Sequence, residues 1–128
     1  MDVFKTPGAF SWSELMTTDP AAAAKFYGAL FGWTIDAMEM GGGGLYHVVK
    51  VGDAGVGGIM GQPPGAPAMP PMWGCYVTVV SVEETVAKCT ALGGRLVMPP
   101  VDIPKVGRMA VIQDPQGATL SVIAYAME

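Results

Sequence analysis

The chain is written twice. An order of strand, helix and three strands runs through the first half and recurs in the second. At one constant offset Asp19 falls on Ser81, Ala29 on Ala91, Leu30 on Leu92 and Gly32 on Gly94. Identity is sparse, but an element order repeated at such spacing marks one supersecondary unit used twice. Each unit has a single helix, enough to cover one face of a curved four-stranded sheet, and the other face is left to surround a cavity. The expectation is an α+β fold of two βαβββ modules, curved mixed sheets around a central cavity.

The elements follow from local signals. Residues 9–16, AFSWSELM, alternate as a strand with Trp12, Glu14 and Met16 on one face. Asp19 and Pro20 suit the cap and first position of a helix, and Gly32 suits its end. TIDAME is a short strand, GGGG a turn, and LYHVVKV with GVGGIMG a hairpin about GDAG. In the second half MWGCYVTVV is a strand and SVEETVAKCTALGG a helix starting at Ser81. RLVMPPVDI is an extended run broken by proline, and RMAVIQ and ATLSVIAY flank the turn DPQG.

The 18 glycines and 11 prolines concentrate between these segments, so they read as turns and one connector, QPPGAPAMPP. This predicts one domain over 1–128, with module one at about 8–61, a linker at about 62–71 and module two at about 72–126. Hydrophobic residues make up 51%, ample for a core. With a net charge of −4 and no basic cluster, nucleic acid is not an expected partner. No apolar run is long enough to span a bilayer, so no membrane association is expected, and the N-terminus lacks the pattern of a signal peptide. A cytoplasmic protein is expected. Cys75 and Cys89 read as reduced, semi-buried thiols.

The stretches LMTTDPAAAAKFYGALFGW and AKCTALGGRLVMPPVDIPKVGRMAVIQDPQGA, with the connector between them, resemble the vicinal oxygen chelate superfamily and its glyoxalase-like branch. That superfamily includes glyoxalase I, extradiol dioxygenases, fosfomycin-resistance enzymes and bleomycin-binding resistance proteins. The resemblance implies the glyoxalase/bleomycin resistance/dihydroxybiphenyl dioxygenase fold, and a homodimer for a chain of this length. It also implies a divalent metal held by His, Gln or Glu on the concave face, acting as a Lewis acid on paired substrate oxygens. Carried over by strand register, the ligand positions fall at Trp12, near Gly74, at Ser121, and at Ile59 or Met60. None is a credible ligand, so no metal and no other cofactor is expected.

The remaining polar residues each have two readings. Glu14 shares a face with Trp12 and serves either as a general base or ligand-recognition group, or as a partly solvated carboxylate paired with a cation. His47, the single histidine, is either an acid/base or ligand group or a hydrogen-bonded structural imidazole. Tyr76, the offset partner of Glu14, either points its phenol into the pocket or packs in the core; Trp12 and Trp73 are either aromatic walls or core. Ser121 lies at the pocket floor, with no nucleophile motif around it. Lys105 and Arg108 flank a loop mouth, where they attract an anion or are simply solvated.

Two functions emerge. One is a metal-independent protein that binds a small apolar or aromatic metabolite or drug through Trp12, Glu14, His47, Trp73, Tyr76 and Ser121. The other is a glyoxalase-like lyase, isomerase or dioxygenase-type enzyme with an atypical site, its proton-transfer candidates being Glu14, Tyr76 and His47.

Overall fold

Asp19 and Pro20 set the first helix. In the computed structural model, which describes residues 1–39, 44–62 and 69–126, the Asp19 carboxylate accepts the Ala22 N–H at 3.1 Å and Pro20 opens helix α1 (Pro20–Phe31). The helix stops at Gly32, whose left-handed φ of 73° brings its N–H to the Gly28 carbonyl. Glycine takes that conformation without the clash a β-carbon brings. Helix α2 (Val82–Ala91) is capped by Ser81 Oγ, which accepts the Glu84 N–H at 3.2 Å. Glu83 and Glu84 in its first turn and Lys88 in its last suit the helix dipole. Its end departs from the repeat: the cap is Leu92, and Gly93, not Gly94, is left-handed.

Among the described residues eight strands accompany the helices: β1 (Phe10–Thr17), β2 (Thr34–Glu39), β3 (Leu45–Val51), β4 (Ala54–Gly61), β5 (Met72–Thr78), β6 (Arg95–Ile103), β7 (Gly107–Gln113) and β8 (Thr119–Tyr125). The βαβββ order thus occurs twice, and the fold class is α+β as expected. Most of the expected turn at 41–44, with Met40, and most of the expected linker at 62–71 lie outside the described residues.

The chain divides into two compact units, residues 12–74 and residues 1–11 with 75–128. In the first unit the strands run β2-β3-β4-β1, antiparallel except for the parallel β4–β1 pair. The second repeats the pattern as β5-β8-β7-β6, with β5–β8 parallel. In β6 the register slips around Pro99 and Pro100. Proline has no N–H to give the ladder, so it is tolerated in a terminal strand of this order.

Alternation along the strands assigns the two faces of each sheet. In the first unit Leu15, Val49 and Ile59 face α1 and pack with Ala23, Ala24, Tyr27, Trp33 and Ile35. In the second, Val82, Ala110 and Val122 pack with Val86, Ile112 and Ala124. Each large aliphatic side chain buried this way contributes about 1.5–3 kcal/mol. Residues 1–11 join the second unit through Thr78: Gly8 N–H donates to the Thr78 carbonyl at 2.8 Å, and Thr78 N–H to the Ala9 carbonyl at 2.9 Å. Arg108 is ion-paired rather than merely solvated. Its Nε and Nη2 reach Glu83 at 2.7 and 2.6 Å, and Nη1 reaches Asp102 at 3.0 Å. Cys75 and Cys89 are free thiols; Cys75 is exposed rather than semi-buried.

Candidate functional site

The face of the first unit turned away from α1 carries a hydrogen-bonded array of three buried side chains. Trp12 and Glu14 stand on β1, two residues apart and therefore on one face. Tyr46 on β3 shares that face, because its hydroxyl meets both. Trp12 Nε1–H donates to the Tyr46 oxygen at 2.9 Å, and the Tyr46 hydroxyl donates to Glu14 Oε1 at 2.7 Å. The direction is fixed, since an indole N–H can only donate. Both of these protons point toward the carboxylate.

Tyr46 reaches Glu14 by crossing β4. Glu14 pairs with Gly58 in the parallel β1–β4 register, and Gly58 pairs with Val48 on β3. A β-carbon on Gly58 would lie 1.8 Å from the Tyr46 hydroxyl oxygen, so only glycine leaves the phenol its path. Gly55 lies under the Trp12 ring, where a β-carbon would stand 3.6 Å from it. Gly58 is therefore what lets the Tyr46 ring lie over this strand, while the Trp12 ring rests beside Gly55. Tyr46 and Gly58 are not among the sequence candidates; glycines inside a strand were the available signal.

The other candidates are dispersed. His47 follows Tyr46 on β3 and pairs with Ala37 and with Ile59, which belongs to the α1-facing core. It therefore lies on the face opposite Glu14, and the strand register does not bring the two together. Among the described residues its buried Nδ1 has no hydrogen-bond partner. Trp73 is 40% exposed and joins the aromatic side chains of α1, with Nε1–H donating to the Tyr27 hydroxyl at 3.2 Å and stacked edge-on against it at 5.3 Å. Trp73 thus stands with Tyr27 and Trp33 rather than with Trp12. Tyr76 and Ser121 come together in the second unit as buried register partners of β5 and β8.

That pairing also moves one assignment. If Tyr76 is the counterpart of Glu14, then Ser121, which pairs with Tyr76, corresponds to Gly58, which pairs with Glu14. Neither Ile59 nor Met60 is the matching place. The residues at the superfamily's ligand positions do not fit a divalent cation. Trp12 offers only a donor, Gly58 and Gly74 have no side chain, and Ser121 offers a lone hydroxyl. Among the described residues no three His, Cys, Asp or Glu side chains converge.

A second polar chain lies in the other unit. The Ser11 hydroxyl is 2.7 Å from both the Tyr125 hydroxyl and Thr78 Oγ1, and Thr78 Oγ1 is 2.7 Å from the Val3 carbonyl. Phe4 stacks edge-on against Tyr125 at 5.0 Å. Burial pushes the Tyr125 phenol above its ordinary pKa, and the Ser11 hydrogen bond partly opposes this. No helix among the described residues is long and apolar enough to cross a membrane.

A family model, the Glyoxalase/Bleomycin resistance protein/Dioxygenase superfamily, matches residues 9–122. "Putative glyoxylase CFP32" of Mycobacterium tuberculosis is 47% identical over 119 residues, 93% of this chain and 45% of that protein. Anthracycline biosynthesis protein DnrV of Streptomyces peucetius is 31% identical over 128 residues, 91% of this chain and 46% of that one. The chain spans about half the length of these curated relatives. Methylmalonyl-CoA epimerase from Mycobacterium tuberculosis has the same fold, with a TM-score of 0.68 at 15% identity over 94% of this chain and 89% of that one.

Proposed function

Because the chain belongs to the Glyoxalase/Bleomycin resistance protein/Dioxygenase superfamily, we propose that it binds a small apolar or aromatic metabolite or drug without the superfamily's metal. The observation that carries this reading is the Trp12–Tyr46–Glu14 array. It places two aromatic rings and a directed acceptor on one sheet face, one ring over Gly58 and the other beside Gly55. Rings supply contact area, and the carboxylate selects a ligand with a hydroxyl or amino donor. The relative DnrV is named for anthracycline biosynthesis, and anthracyclines are polycyclic aromatic compounds of that description. Tyr76 and Ser121 are proposed to contribute from the second module. The reading includes a single two-module domain acting as a cytoplasmic homodimer.

A second reading rests on Glu14 itself. A buried carboxylate that accepts a phenolic proton is also suited to act as a general base toward an acidic C–H or O–H group, with Tyr46 returning a proton. This describes a lyase or isomerase that uses no metal.

Isothermal titration of the full chain with an anthracyclinone, in the presence of EDTA, separates these readings. Binding that survives chelation and is lost in Trp12→Ala supports the binding protein. Binding or turnover that needs an added divalent cation overturns it. Turnover in EDTA that disappears in Glu14→Gln favours the enzyme.

A further inference from the structure

We infer that the outward face of α1, centred on Phe26 and Leu30, is an interface that takes the same face of a second copy of this chain. This rests on the homodimer of the proposed function and assigns the surface that forms it.

The two helices of the repeat have opposite exteriors. α2 is an ordinary surface helix: Val82 is buried, and Glu83, Glu84, Lys88 and Thr90 stand exposed. α1 holds one charged residue in its twelve, Lys25, and none of its residues is fully buried. Ala23, Ala24 and Tyr27 pack on the core of the first unit, while Ala22, Phe26, Ala29 and Leu30 lie exposed on the other side. Counted from the caps Asp19 and Ser81, Phe26 stands where α2 has Lys88, and Ala22 where it has Glu84. A helix apolar on both sides belongs in an interior. Of two helices in equivalent places, one is built to meet water and the other is not.

Area points to a partner of this size. Phe26, Leu30 and Phe31 are 60, 57 and 58% exposed, and Trp73, which meets Tyr27 edge-on, is 40% exposed. At ~150–250 Å² for a large aromatic side chain, these four leave roughly 400 Å² of apolar surface in water. A standard interface takes ~800 Å² from each partner, of which about 57% is apolar, or roughly 450 Å². Four side chains thus supply nearly the whole apolar share of a stable dimer, and Ala22 and Ala29 extend it.

The face is also rigid and fits itself. Phe26 stands edge-on to Tyr27 with ring centroids 5.0 Å apart, and Phe31 lies 6.2 Å from Tyr27 and 4.9 Å from Trp33. Aromatic anchors held before contact lose little freedom on association. Phe26 and Leu30 project, and Ala22 and Ala29 leave hollows beside them at helical spacing. A face that meets its own copy about a two-fold axis needs projections and hollows together. A membrane surface is the poorer occupant, because an interfacial helix carries a strongly basic polar face. Here α1 offers Lys25 alone, in a chain of net charge −4.

The test is sedimentation velocity of the full chain from micromolar to millimolar concentration, with NMR spectra over the same range. The expected result is a dimer whose formation shifts the amides of residues 21–33 and 72–74. Phe26→Asp and Leu30→Asp should each raise the dimer dissociation constant about a hundredfold or more with the circular dichroism of a folded chain; if one variant fails to fold, the other decides. Lys88→Asp, at the matching place on α2, should leave the dimer intact. A monomer at every concentration overturns the interface together with the homodimer. A dimer that the folded α1 variants leave unchanged, or that Lys88→Asp weakens equally, overturns the interface and leaves the homodimer standing. Co-sedimentation of the parent chain with phosphatidylcholine vesicles overturns a second copy as the occupant.

Discussion

Tyr46 occupies the space that a side chain on Gly58 would need: a β-carbon there would stand 1.8 Å from the phenolic oxygen and 2.7 Å from Cε2 of the ring. The phenol and the glycine are therefore one feature, built from two strands. Gly58→Ala should cost at least about 1–3 kcal/mol, the usual range for overpacking a closed site. Combining it with Tyr46→Ala should cost less than the two changes summed, since removing the ring makes room for the methyl. Urea denaturation of the four proteins of this cycle measures the coupling; strict additivity would refute the steric account.

Tyr46→Phe keeps the ring and removes only the hydroxyl. That strips Glu14 of a donor and Trp12 Nε1 of its acceptor, both in buried surroundings. Losing hydrogen bonds of this kind from buried surroundings costs about 1–3 kcal/mol. The variant should lose stability on that scale and show altered Trp12 fluorescence. Unchanged stability would mean that the array contributes nothing to the fold.

His47 presents the reverse case. Its buried Nδ1 has no partner among the described residues, in a position flanked by Ala37 and Ile59. Replacing an unsatisfied polar ring by an apolar one of similar size should be neutral or stabilising, by up to about 1 kcal/mol. A higher melting temperature for His47→Phe is the expected outcome. A marked loss of stability would show that the imidazole makes a contribution its surroundings do not reveal.

The Arg108–Glu83 pair sets an acid response. The Arg108 hydrogen bond holds the Glu83 carboxyl below its ordinary value of 4.5. The folded state therefore binds this proton less tightly than the unfolded state. The stabilisation is present above about pH 4.5 and is lost as pH falls through the lowered folded value. Because both groups are exposed the effect is small. Glu83→Gln should lower stability slightly at neutral and alkaline pH, flatten the acid limb of the stability curve, and match the parent chain at strongly acid pH. Chemical denaturation repeated down the acid range checks this.

Tyr125 governs the opposite limb. Burial raises its pKa, so the folded state keeps a proton that the unfolded chain releases near 10. Its contribution is complete below that value and is lost as pH rises through the folded pKa. Tyr125→Phe, which cannot ionise, should lose less stability between neutral and strongly alkaline pH than the parent chain.

Much of the fold was legible because it depends on neighbours in sequence. Asp19, Pro20, Gly32 and Ser81 mark helix ends by what they do to the next few backbone groups. The DPQG turn closes through Asp114, whose carboxylate accepts the Gln116 and Ala118 N–H groups. The candidate site was less so. Trp12 and Glu14 share a face by simple alternation, but the Tyr46 bridge depends on the joint register of β1, β4 and β3. Carrying residues across the repeat at a fixed offset failed for the same reason. Gly58 follows Glu14 by one residue fewer than Ser121 follows Tyr76, so Ser121 matches Gly58 in pairing and not Ile59. Trp73 looked equivalent to Trp12 as an aromatic wall, yet no local rule places it beside Tyr27 of α1.

The stretch from Val3 to Ser11 carries a consequence for how the protein is made. Its partners are Thr78 and Tyr125, and Val3 lies 75 positions before Thr78. A ribosome delivers it before Thr78 and Tyr125, the residues that hold it. This stretch must wait unclasped while the whole first unit emerges, and its docking is a contact of large sequence separation, the slow kind to form. Docking can begin once Thr78, at the start of the second unit, is available, and it is complete only when Tyr125 has followed.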